Sequence, residues 1–342
     1  MSDSVRIVDS NSTAVIAKGM LSKPGFMQTV YLMSLAFLFF AGCATERSAV
    51  NLYVDATMLA EHNENEKAIE KLNSALEENK QFPLAYSLLG EIYQRMKDYE
   101  KSAASYKKAT ELNPWSFNDY FNLGKAYQMM KKFALAVKEY SRACELKPNH
   151  LQAHINAAKS YYELEDYNSA LVYSRQAEQI DADVSEVQKL LGDIYKSQKD
   201  YDQAIASYKR ALEIDSNNAE VMTSLAVVYL RTDRNDAAKE LLTTAVQVQP
   251  DSAKACQYLG YSYLKLGDVD SAVKSYSRAI EINDQDWEAH RGLGVAYMVN
   301  ALNNQDEAIK AKAIEQWRLS LDIRPNQPSR EKLLKLIRKY AK

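Results

Sequence analysis

The chain has 342 residues, 46% of them hydrophobic and 26% charged, and its 43 basic and 45 acidic residues leave a formal charge of −2. That balance excludes a broadly basic surface that would hold nucleic acid or acidic lipid by charge alone. Only 10 Gly and 7 Pro stand against 23 Tyr, which excludes a loop-rich or low-complexity chain and favours long helices.

Residues 30–42 are apolar apart from Ser34 and the Tyr31 hydroxyl, and they end at Cys43. The run is shorter than the ~20 residues that span a membrane. Its length suits a signal-peptide core with Lys23 as the positive flank. Ala41-Gly42-Cys43 resembles the bacterial lipobox, in which the cysteine becomes the lipidated first residue of the mature protein. Phe40 stands where that motif usually has Leu, Val or Ile. The resemblance implies an amino-terminal extension and signal over 1–42, lipidation at Cys43 and a short linker over 43–48. The alternative is an uncleaved signal anchor. Ala44, rather than Asp, follows the cysteine. The resemblance therefore implies the periplasmic side of a bacterial membrane, the outer one in a two-membrane cell. The residues before Met20 are polar, and translation starting at Met20 is the expectation that removes them.

From residue 49 onward a small residue recurs every 34 positions: Ala56, Gly90, Gly124, Ala158, Gly192, Ala226, Gly260 and Gly294. Three residues after each stands Tyr93, Tyr127, Tyr161, Tyr195, Tyr229, Tyr263 or Tyr297, with Leu59 in the first unit. In the clearest unit, Tyr120, Leu123, Gly124 and Tyr127 mark one helix face, and Ala136, Tyr140 and Ala143 mark a second. Lys131-Lys132 break the pattern between them, and Pro148 closes it. The small residue is expected to let a neighbouring helix approach, with the Tyr one turn later filling the space beside it. Second helices repeat small residues at Ala75, Ala109, Ala143, Ala177, Ala211, Ala245 and Ala279. Polar pairs such as Lys97-Asp98, Glu165-Asp166, Lys199-Asp200 and Gly267-Asp268 occupy the turns. A fixed period of this length means hairpins that bury a core only by stacking.

On these residues, and on Pro114, Pro148, Pro250 and Pro325 as closing prolines, the chain resembles the tetratricopeptide repeat (TPR) family. The resemblance implies an all-α, right-handed superhelical solenoid of about eight TPR helix hairpins over 49–325. Asp55 stands where later units have Leu or Ala, which suits a terminal unit with one side facing solvent. In the last unit, 16 residues separate Tyr297 from Ala313, where other units have 9. The seven extra residues equal about two helical turns, and a second helix lengthened at its start, from about Asp306, is expected. Residues 326–342 then read as a capping helix. Leu333, Leu336, Ile337 and Tyr340 form its apolar face; Arg330, Lys332, Lys335, Arg338, Lys339 and Lys342 form a basic one. Covering the end of the stack is one role for it, and docking on a membrane surface or partner is the other.

No catalytic constellation is present, no metal site and no cofactor motif. His150 and His154 share a metal-binding spacing, but His150 precedes its helix, His154 holds a core position, and no Glu follows as a metalloprotease needs. Cys144 and Cys256 lie roughly 50–60 Å apart at about 8–10 Å per packed helix, beyond disulfide reach; both read as small core hydrophobes.

In TPR proteins the non-core side of the first helices faces a ligand in a concave groove. That implies a wall of Phe121, Ile155, Tyr162, Val227, Leu230, Tyr261, Leu264, Val295 and Met298, apolar over the last three units and suited to a protein or peptide client. The alternative is that curvature partly buries these side chains between neighbouring helices. The Lys/Asn/Arg clamp of cochaperone-type TPRs is not matched. Asn156 fits one of its positions, but Phe121, Lys125 and Glu186 stand at three others. The implied function is a non-enzymatic, membrane-anchored scaffold for assembling or localising a bacterial envelope complex. Alternatives are a signal-anchored inner-membrane adaptor and a regulatory subunit of an enzyme complex.

Overall fold

The computed structural model describes residues 48–341, and these contain helices, turns and no strand. They divide into two compact units, one ending at Leu146 and one beginning at Lys147. Cys43 and the apolar run 30–42 lie outside the described residues.

The first unit holds three helix pairs: α1 (48–61) with α2 (Asn65–Glu78), α3 (Pro83–Arg95) with α4 (Tyr99–Leu112), and α5 (Phe117–Met129) with α6 (Phe133–Leu146). The second unit continues with α7 (Leu151–Glu163) and α8 (Tyr167–Ile180), α9 (Ser185–Gln198) and α10 (Tyr201–Ile214), and α11 (Ala219–Arg231) and α12 (Asn235–Val248). It ends with α13 (Ala253–Leu266) and α14 (Val269–Ile282), α15 (Trp287–Asn304) and α16 (Glu307–Ile323), and a single α17 (Arg330–Tyr340). Within each unit, helices pack mainly on the one before and the one after.

Every pair turns in the same way. One residue per turn adopts positive φ: Asn63, Lys97, Lys131, Glu165, Lys199, Asp233, Gly267 and Gln305. The backbone N–H of the next residue then donates to a carbonyl five positions back, as Asp98 does to Tyr93 and Asp200 to Tyr195, both at 2.9 Å. That is the Schellman closure, which satisfies carbonyls a helix end leaves orphaned. In six of the eight pairs the Tyr of the repeat is therefore also the residue on which the first helix closes; Leu59 and Ala301 take that place in the first and last. In five of the eight pairs the same next residue caps the second helix. The Asp98, Asp166, Asp200, Asp268 and Asp306 side chains accept a backbone N–H from two or three residues on. This explains why Asp so often follows the turn residue.

The core is built on a different partner from the one the sequence suggests. A Cβ placed on Gly90, Gly124, Gly192 or Gly260 would lie 2.6–2.9 Å from the ring of Tyr106, Tyr140, Tyr208 or Tyr276. These rings stand 16 residues later, on the second helix, and not one turn later on the first. In the last pair Trp317 takes that place over Gly294, with its ring 2.4 Å from such a Cβ. Where the first helix carries Ala instead, at 56, 158 and 226, the residue 16 later is Leu72, Ser174 or Leu242. A glycine goes with an aromatic ring, and an alanine with a smaller side chain, so the pair fills similar volume.

The seven extra residues of the last pair are shared between its helices. The positive-φ residue moves from Gly267 to Gln305, 38 positions rather than 34, so α15 gains about one turn. α15 has 18 residues and α16 has 17, against 14 in both α13 and α14. α16 does begin beside Asp306, but the expected lengthening of the second helix alone is corrected: the turn sits where Gln305 and Asp306 can make the closure common to all the pairs and the Asp cap that four of the others share.

α17 packs its Leu333 against Met298, Ala313, Ile314 and Trp317, with Leu336, Ile337 and Tyr340 half-buried beside them. Its Arg330, Lys332, Lys335, Arg338 and Lys339 are exposed.

Candidate functional site

The open side of the first helices was the expected binding wall, and the structure sorts its residues by burial. In the first unit, Phe121 is half-buried, stacked on Phe117 at 5.6 Å and tilted on Tyr140 at 5.9 Å. In the second unit, Ile155 is 1% exposed and sits in a core with Val187, Leu191 and Tyr195. Leu230 is 6% exposed among Ala226, Ala238, Leu242 and Leu259. Met298 is 5% exposed against Trp317 and Leu333. Leu264 is half-buried against the core around Cys256 and Tyr276. Ile155, Leu230 and Met298 are thus core residues and cannot grip a client. The physical reason is local. A first helix has another first helix beside it within the unit, so residues three or four positions from the outward one turn onto that neighbour.

What stays open is narrower. Tyr261 is 42% and Val295 37% exposed, Val227 is half-buried, and Tyr162 is half-buried with its hydroxyl 3.0 Å from Ser197 Oγ. Val299 continues this helix face and the added turn of α15 brings Leu302, both exposed.

Between these apolar residues lies a charged lattice. Asp193 on α9 accepts from Tyr208 Oη at 2.7 Å and from Lys196 Nζ at 2.6 Å, and its second oxygen faces Lys189 Nζ at 3.2 Å. Lys189 reaches on to Glu220 of α11 at 2.9 Å, and Lys159 of α7 pairs with Glu186 of α9. Burial opposes the charge on Asp193, but the two lysines and the Tyr208 hydroxyl outweigh it and hold the carboxyl below the usual carboxylate range. Burial, with the charge of Asp193 beside it, drives the Tyr208 phenol well above its ordinary value.

Two clefts flank this lattice. One of about 430 Å³ is lined by Lys159, Glu186, Lys189, Asp193 and Glu220. The larger, about 720 Å³, lies along α9, α11 and α13, and its charged lining is Lys196, Lys199, Glu220, Arg231 and Lys254. Sequence reasoning read Lys199 as a turn residue only and missed Glu220, Arg231 and Lys254. A signal for them exists: Glu186, Glu220 and Lys254 are spaced by 34, charged in three consecutive repeats, in the first turn of the first helix.

His and Cys side chains are used for packing. His150 caps α7, accepting from Ala153 N through Nδ1 at 3.2 Å. His154 lies 2.8 Å from the Pro148 carbonyl through Nε2 and 3.1 Å from Gln176 Oε1 through Nδ1. His290, four repeats on, does the same with Asp284 and Gln316. Each ring ties its helix to the preceding loop and to the second helix of its pair. Cys144 and Cys256 are free and buried, and burial pushes the Cys144 thiol up to about 12. Among the described residues, no group of three or more His, Cys, Asp and Glu could hold a metal ion.

Antiparallel helix pairs repeating at 34 residues, each stacked on the next within its unit, define an α-helical repeat protein of the protein-binding kind. The chain belongs to the tetratricopeptide repeat family. Tetratricopeptide repeat models match residues 83–116, 117–150 and 155–219, and the model of the cytochrome c-type biogenesis protein H TPR domain matches 188–290. No curated protein matches the chain. Among solved structures, the APC/C hetero-tetramer Cut9-Hcn1 superposes with a TM-score of 0.58 at 17% identity, over 80% of this chain and 52% of that one. The present chain thus spans about half the length of that relative. The C-terminal part of a TPR repeat-containing protein from Cytophaga hutchinsonii gives 0.57 at 20% identity, over 70% of this chain and 99% of that one. The pilF protein of Pseudomonas aeruginosa gives 0.52 at 20% identity, over 60% and 94%. At these identities the likeness is one of fold. As a TPR array, the chain is a protein-interaction scaffold.

Proposed function

We propose that this protein is a non-catalytic scaffold, lipid-anchored through Cys43 on the periplasmic side of a bacterial membrane, that holds a client during assembly of an envelope complex. The observation that carries the scaffold reading is the wall of the second unit. Tyr261, one turn from Tyr258 in the lining of a cleft of about 720 Å³, and Val295 stand open there, although the core has no use for them. Large exposed apolar side chains next to a cleft are the usual mark of a protein-binding surface. The envelope role draws on the match to the cytochrome c-type biogenesis domain over 188–290. Anchoring draws on the apolar run 30–42 and the Ala41-Gly42-Cys43 sequence.

Each half has its own experiment. Cells expressing the chain are fed an alkyne fatty acid; label is expected on the wild type and absent from Cys43→Ala. Label that persists in the variant overturns the anchor. For the wall, a photo-crosslinking residue is placed at Tyr261, and at exposed Val172 on α8 as a control. Client adducts are expected from position 261. Adducts from 172 alone would move the binding surface to the other side of the helix pairs.

A further inference from the structure

We propose that the larger cleft of the second unit binds an extended acidic peptide segment of the client, with Arg231 and Lys254 pairing its carboxylates. The inference rests on the reading of this wall as the client surface and names the chemistry of the client.

The argument is one of charge left over. The cleft presents four cations, Lys196, Lys199, Arg231 and Lys254, against one carboxylate, Glu220. Glu220 is already held by Lys189 at 2.9 Å, and Lys196 by Asp193 at 2.6 Å. Lys199, Arg231 and Lys254 form no ion pair among the described residues, and all three are exposed. The chain leaves many surface cations unpaired, but here three of them line one cleft with a single carboxylate. Its net charge is −2. Three unneutralised cations around one concavity therefore give it a local positive excess, and a concave site between low-dielectric walls strengthens their field on a ligand.

The remaining lining suits a peptide more than a base or a sugar. Ser197, Ser224, Ser252 and Gln249 place small polar groups in the lining, of which Ser197 also meets the Tyr162 hydroxyl and Ser252 caps α13; an extended backbone can bond to such groups. Arg231 adds a planar fork that takes a carboxylate through two N–H groups. Tyr261 lies one turn beyond Tyr258 of the lining, and its open ring can take an apolar residue next to the acidic stretch.

The probe is a random decapeptide display library panned against the full chain, followed by titration of the enriched peptide, labelled with a fluorophore, against wild type and variants. Enrichment of Asp and Glu is expected, with binding that weakens as salt rises from about 0.05 to 0.3 M. Arg231→Glu and Lys254→Glu are each expected to weaken it about tenfold. Lys254 lies in the first turn of α13, where an acidic side chain suits the helix dipole. Its variant thus keeps the experiment decisive if Arg231→Glu disturbs folding.

Enriched peptides that are apolar or basic, or acidic peptides that bind both variants unchanged, overturn the acidic-client inference while leaving the wall as a binding surface. Displacement by an equal concentration of a single-stranded oligonucleotide overturns it too, as general polyanion binding. No enrichment of any sequence overturns the wall reading, and the inference with it.

Discussion

The pairing of glycine with ring makes the first prediction. A methyl on Gly192 would sit 2.6 Å from the Tyr208 ring, and the ring cannot swing away, because its hydroxyl is held by Asp193 at 2.7 Å. Overpacking of this kind costs roughly 1–3 kcal/mol, so Gly192→Ala is expected to melt at lower temperature. Tyr208→Leu removes the ring and imitates the Ala226 and Leu242 pair of the same unit. The combined Gly192→Ala/Tyr208→Leu chain should therefore be no less stable than Tyr208→Leu alone. A double-mutant cycle on melting data gives the coupling, expected at about 1 kcal/mol or more; independent, additive losses would contradict the pairing. Asp193 makes the second. Its folded-state carboxyl titrates below the ordinary range, so it binds a proton less readily folded than unfolded. The stability this provides is present above the unfolded-state value and fades as pH falls through the lower, folded one. Asp193→Asn should lose stability at neutral pH and show a flatter acid limb in melting temperature between about pH 5 and 2. The small residue of each pair was legible in the sequence as a regular beat. Its true partner was not, because Tyr93 or Tyr195 at three residues and Tyr106 or Tyr208 at sixteen keep the same 34-residue phase. Periodicity cannot tell a residue that packs under a ring from one that closes a helix.

Helix ends supply the next scale. Five of the second helices start on an Asp that accepts backbone N–H groups, whereas α12 starts on Arg234, with no side-chain cap. Its turn has the same form, with Asp233 at φ 56° and Arg234 N–H donating to the Tyr229 carbonyl at 2.8 Å. Arg234→Asp should restore the missing cap and favour the helix dipole, for a gain of about 0.5–1 kcal/mol, less whatever the Arg234 contact with the Tyr229 ring contributes. A fall in melting temperature would mean that this ring contact, and not the cap, governs the start of α12. The sequence showed the turns plainly as polar pairs. It showed the groove wall less well: the notional wall positions differ by three or four residues, and that small rotation carries Val295 to 37% exposure and Met298 to 5%. Which of two such neighbours faces solvent depends on the helix beside them, and no property of a single helix encodes it. For the same reason the lengthening of the last pair was visible as seven residues but not as a turn added to α15.

At the scale of the whole molecule, a stack of pairs is stabilised by each interface with its neighbour, so its ends decide where unfolding begins. The two described ends are unlike. At the start of the first unit, Met58 of α1 is 58% exposed, although the equivalent Ile92 and Ala126 of that unit are fully buried; Val54 is 43% exposed, and Asp55 stands in solvent near Lys71 at 3.9 Å. The second unit ends on α17, whose Leu333 is 3% exposed over Trp317 and Met298. The apolar face of α17 is spent on this packing, which leaves its exposed lysines and arginines as a hydrophilic outer surface of the kind a terminal cap needs. Leu333→Asp places a charge in that contact, and burying it unpaired would cost more than releasing the helix. α17 is therefore expected to detach, and Trp317, fully buried at the base of α16, to lose its cover. Hydrogen exchange reads the consequence helix by helix. Protection should fall steeply in α15 and α16, less in α13 and α14, and little in α7–α10, because each interface lost exposes only the next. An equal loss across the second unit would show that it unfolds as one cooperative block, and that α17 stabilises the whole unit instead of its last pair.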